Sequence, residues 1–85
     1  MDVKTAKIEK ACVEAKDKLT SLGIEGQLVA EIEWCLGSYA NDHNPVGLFE
    51  KAETAFQVLE DYKKTKPKKV SKKLLEDIQK ALKSN

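Results

Sequence analysis

The sequence predicts an all-α protein: a small up-down-up-down antiparallel four-helix bundle, built as one helical domain over residues 1–85. Three observations predict it. Apolar residues recur three and four positions apart along the whole chain, and no segment shows the two-residue alternation of a half-buried strand. The periodic stretches are divided by short segments with helix-stopping and helix-starting chemistry. The length of 85 residues fits one small core and leaves no room for a second.

The first helix is expected over residues 3–22. Ile8, Cys12, Ala15, Leu19 and Leu22 share a face, while Lys7, Lys10, Glu14, Asp17 and Ser21 line the opposite side. Gly23 then supplies a left-handed residue after the helix, and Ile24 folds back as the apolar partner of a Schellman stop. Leu28, Ile32, Cys35, Leu36 and Tyr39 place a second helix over 26–40. Asn41-Asp42-His43-Asn44-Pro45 ends it, and Asn44 with Pro45 reads as an N-cap and first helical residue of the next.

The third helix, 45–64, turns Leu48, Phe49, Ala52, Ala55, Phe56, Leu59 and Tyr62 inward and Glu50, Glu53, Gln57, Glu60 and Lys64 outward, until Lys66-Pro67 stops it. The fourth, 71–83, opens on Ser71 as N-cap with Val70 and Leu75 spaced as a hydrophobic staple. Leu74, Leu75, Ile78, Ala81 and Leu82 form its core face. Glu76 and Asp77 lie early and Lys80 and Lys83 late, as the helix dipole favours. Short connections make successive helices antiparallel.

Composition narrows the function classes. The chain is 41% hydrophobic, too apolar for a disordered tail, yet its apolar runs are too short to cross a bilayer. The first residues, Met1-Asp2-Val3-Lys4-Thr5, lack the apolar stretch of a secretory signal, so a cytoplasmic protein is expected. Two cysteines and one histidine are too few for a disulfide scaffold or a closed zinc site. No cofactor and no small-molecule ligand is implied. There is no phosphate-binding loop, no dinucleotide fingerprint and no nucleophile elbow. Gly23-Ile24-Glu25-Gly26 matches a Gly-x-x-Gly loop only superficially, since one middle residue is an acid and no strands surround it.

Charge is unevenly distributed. Residues 1–62 carry 6 lysines against 12 acids, and residues 63–85 carry 9 lysines against 2, so a net charge of +1 conceals a strong polarity. The candidate anion-binding residues are Lys63, Lys64, Lys66, Lys68, Lys69, Lys72 and Lys73. Ammonium groups at that density suit sequence-blind phosphate binding. The absence of arginine removes bidentate readout of bases, and no aromatic residues interleave the lysines for stacking, Tyr62 alone bordering them. The other uses of the segment are as a solvated connection and as a complement to the acids of the first three helices.

The candidate protein-binding residues lie on the second helix. At 100° per residue, Trp34 falls roughly 160° from the Leu28/Ile32/Cys35/Leu36 face, beside small Ala30 and Gly37 with Asn41 beyond. An indole among small residues that admit a neighbouring backbone is a recognition surface in outline. The competing expectation is that Trp34 fills a gap between two helices.

Cys12 and Cys35 stand equally far from the first turn, so antiparallel pairing puts both in one layer, as buried thiols or as a disulfide. Asp42 and His43 make a conceivable proton-transfer pair, but without a nucleophile or pocket beside them. The expected function is therefore a non-enzymatic helical protein–protein interaction module, possible partners being another protein or a second copy in a homodimer. The alternative is a nonspecific nucleic-acid-binding accessory protein using Lys63–Lys73.

Overall fold

The structure, a computed structural model, describes the backbone of residues 3–83 and the side chains of residues 5–83. It contains four helices, α1 (Val3–Leu22), α2 (Gly26–Asp42), α3 (Val46–Thr65) and α4 (Lys72–Lys83), and no strand among the described residues. The expected limits agree to within two residues. The largest departure is the C-terminus of α2, which runs on to Asp42 because His43 adopts the left-handed region (φ 58°) and its N–H reaches the Tyr39 carbonyl at 2.7 Å.

Local chemistry accounts for the other ends. Gly23 is left-handed (φ 71°), its N–H donates to the Thr20 carbonyl, and the Ile24 N–H reaches back to Leu19 at 3.2 Å. Those two bonds make the expected Schellman stop. The α3 N-cap is Pro45, one residue later than expected, and Asn44 just before it accepts the Val46 N–H on its side-chain oxygen at 3.1 Å. Ser71 accepts the Leu74 N–H at 3.1 Å, and the staple residues Val70 and Leu75 are both buried. At the start of α2, Glu25 is the N-cap, is left-handed (φ 54°) and makes no side-chain cap bond.

Helices consecutive in sequence, and α1 with α4, are antiparallel. Glu31 and Cys35 of α2 meet Lys51 and Gly47 of α3, numbers rising on one helix as they fall on the other. Likewise the beginning of α1 faces the end of α4, with Lys7 beside Lys80, whereas Ser21 lies beside Ser71. The cross-section is not square. α1 and α3 pack directly on each other, each also touches α2 and α4, and α2 and α4 do not touch. Overall dimensions of 37 × 24 × 15 Å reflect that flattening.

Several of the buried residues on the two central helices are small. Ala11 and Ala15 of α1 and Ala52 and Ala55 of α3 are all buried, and small side chains let helix axes approach closely. Ile8, Cys12 and Leu19 join Leu48 and Leu59 in this central seam, each fully buried. Leu28, Ile32 and Tyr39 close it from the α2 side, and Val70, Leu75, Ile78 and Ala81 from the α4 side. The two flanking helices therefore each keep one broad face in solvent.

Candidate functional site

α2 uses its inner residues so completely that its outer face is free. Gly26, Gln27, Ala30, Glu33, Trp34, Gly37, Ala40 and Asn41 are all exposed, and Glu33 alone among these is charged. Trp34 is 73% exposed, the most open of the exposed large hydrophobic side chains described. Every protein-binding candidate from the sequence thus lies on one solvent-facing stripe. The expectation that Trp34 plugs a gap between helices is not met. A Cβ built at Gly37 would meet nothing within 4 Å, so nothing inside the chain requires glycine there. Gly26, Gln27, Glu33 and Ala40 complete the surface and were not singled out from the sequence. Extending the same 100° arithmetic over the whole helix would have found them.

The border of this stripe toward α3 is pinned. Lys51 Nζ lies 2.8 Å from Glu31 Oε1, and Gln27 donates to the other carboxylate oxygen at 3.3 Å. The hydrogen bond from Lys51, then its charge, hold the Glu31 carboxyl below its ordinary range, and the Lys51 ammonium is correspondingly held above its own. Deeper in the seam, the Cys35 sulfur would be 3.3 Å from a Cβ at Gly47, so that glycine does have a packing reason.

Cys12 is fully buried and its thiol donates to the Leu48 carbonyl at 3.3 Å. Burial first, then the proximity of Cys35 and of Glu9, push the Cys12 thiol up to about 12. The two cysteines therefore do share one layer, both against the start of α3, and both are free thiols. A sulfur held protonated in this way is no nucleophile at neutral pH.

The lysine-rich segment lies at the end of the bundle where α3 stops and α4 starts. Lys64, Lys66, Lys68, Lys69, Lys72 and Lys73 are exposed and Lys63 is half-buried. Two of them have ion-pair partners, Lys64 with Asp61 at 3.6 Å and Lys72 with Glu76 at 3.9 Å, both pairs open to solvent. Lys66 lies over the Tyr62 ring at 5.8 Å. Unforeseen in the sequence is a groove between α1 and α4 that brings Lys7 and Lys10 opposite Lys73 and Lys80, with Glu14 and Asp77 among them. The register between helices so distant in sequence is set by tertiary packing, and no local signal reveals it.

Asp42 and His43 do not act as a pair. The Asp42 carboxylate accepts the Asn44 N–H at 2.9 Å, and the exposed His43 ring packs edge-to-face on Tyr39 with centroids 5.8 Å apart. The described residues contain no group of three or more His, Cys, Asp or Glu placed to hold a metal ion. Nor is any helix among them long and apolar enough to cross a membrane. Family models, curated proteins and solved structures contain no match to this chain.

Proposed function

We propose that this protein is a non-enzymatic interaction module of the cytoplasm that docks another protein on the outer face of α2, with Trp34 as the anchor. The observation that carries this reading is an indole 73% exposed on a helical face that is otherwise small and nearly uncharged. Burying such a face desolvates almost no charge, and a tryptophan seated in a pocket is the commonest kind of binding hot spot. A cytoplasmic setting agrees with two cysteines in one layer that remain unpaired.

Charge selects the partner. With Glu31 paired to Lys51, the exposed charges of α2 are Glu33 and Asp42 with no lysine, so the fitting surface is an apolar pocket with a basic rim. Two α2 faces brought together would instead set like charges against each other. Native mass and tryptophan emission, read together, test the proposal. The expected result is a 9.5 kDa monomer with red-shifted emission that moves to the blue when a purified partner is added. Trp34→Ala should keep the helical content and lose that partner. A dimer with blue-shifted emission would make a second copy the occupant and overturn the assignment of a foreign protein. Retention of every partner by Trp34→Ala would remove the surface altogether.

A further inference from the structure

A separate surface lies on the opposite side of the molecule. We infer that the α3–α4 connection and the α1/α4 groove form one cationic track for the phosphodiester backbone of a nucleic-acid duplex. The inference does not depend on the α2 surface. It rests on where the fold puts lysines that are far apart in sequence.

Lys66, Lys68 and Lys69 are exposed in the connection and form no ion pair among the described residues. Lys73 continues from them onto α4, and Lys80 follows seven residues later on nearly the same face, roughly 10 Å farther along the axis. Lys7 and Lys10 of α1 stand across the groove from these two. Glu14 and Asp77 temper the groove without reversing its sign, since four lysines outnumber two acids. Asp17 lies with Lys18 where α1 meets Ser71, Glu33 is on α2, which does not border the groove, and Glu50, Glu53 and Glu60 line the other flank of α4 beside Gln79 and Lys83. A polyanion approaching the molecule is therefore drawn to one side of it.

The chemistry favours a duplex over the other polyanions. Lysine reads charge and not base identity, so backbone contact is what this surface offers. Single strands are held by stacking on aromatic platforms, and the one ring at the track, Tyr62, is covered by Lys66. Membrane-surface helices place free apolar side chains beside their lysines, whereas Val70, Leu75 and Ile78 are buried in the core.

The test is fluorescence anisotropy of a labelled 20-base-pair duplex of mixed sequence, titrated with the whole protein at several salt concentrations. Binding should be insensitive to sequence and fall about 10³-fold between 50 and 200 mM salt if some six phosphates are neutralised. Replacing Lys66, Lys68 and Lys69 together by Gln should weaken binding at least tenfold. Lys7→Gln with Lys10→Gln should make the salt dependence shallower by about two charges. Circular dichroism confirms that these solvent-facing variants stay folded. No duplex binding at 20 mM salt would overturn the proposal. So would binding unchanged in the triple variant, tighter binding to a single strand, or binding to phosphatidylserine vesicles without binding to duplex.

Discussion

α2 and α4 occupy equivalent places in the bundle, one on each flank of the α1/α3 seam, and they are finished in opposite ways. On α4 five of six exposed residues are charged, and the helix starts on a serine cap with a buried staple. On α2 two of nine exposed residues are charged, and both ends are flanked by left-handed residues other than glycine, Glu25 and His43. A helix selected only to fold and stay in solution looks like α4. Sparse charge, a bare indole and strained flanks on its counterpart are costs that folding does not explain.

The sharpest way to break that contrast is to compare inner and outer side chains. Ile32 of α2 and Ile78 of α4 are both fully buried, so Ile32→Ala and Ile78→Ala should each cost about 2–5 kcal/mol in urea unfolding. Trp34→Ala, a larger truncation, should change stability by no more than about 0.5 kcal/mol. If it costs as much as the isoleucines, the indole is packed and α2 is an ordinary bundle helix.

Alkaline pH probes the central seam between the two flanks through Cys12. Its folded-state pKa lies above the ordinary value of 9.0, at about 12, so the folded chain keeps a proton that the unfolded chain releases. Stability from this source is complete below pH 9 and is lost as pH rises toward 12. Relative to Cys12→Ala, the parent protein should lose about 1.4 kcal/mol per pH unit across that range. Thiol labelling gives the same ordering in time: half-buried Cys35 reacts in the native protein, and Cys12 only as the chain unfolds.

Helix ends should respond with opposite signs. Ser71→Ala removes the bond to the Leu74 N–H and should destabilise by about 1 kcal/mol. Glu25→Gly relieves a left-handed residue that caps nothing and should stabilise by roughly 0.5–1 kcal/mol. Thermal melts of the two variants measure both. A loss at position 25 would mean that Glu25 is held by something other than the local turn.

How much of this was legible beforehand depends on whether the cause is local. Gly23, Asn44 and Ser71 announce their helix ends because capping needs only neighbouring atoms, and the outward turn of Trp34 follows from counting 100° steps. The flattened cross-section was not legible. Buried alanines recur on both α1 and α3, but a stripe of alanines does not say which other stripe it meets. The Glu31–Lys51 pair and the meeting of Lys7 with Lys80 likewise depend on inter-helix register, which emerges only when the core closes.

The smallest expected effect is the most discriminating. Glycine inside a helix costs roughly 0.5–1 kcal/mol relative to alanine, and a methyl group at Gly37 would stand in open solvent. Gly37→Ala should therefore stabilise the isolated protein by that amount, visible as a higher denaturation midpoint at unchanged slope. The same methyl group would stand between α2 and any backbone drawn in beside Trp34, so docking should weaken as folding strengthens. A stabilised variant that binds its partner unchanged would leave Trp34 as an isolated anchor and show that no backbone approaches at position 37. A variant that gains nothing would mean that the glycine serves the fold after all, and the contrast between the two flanks would rest on the indole and the sparse charge alone.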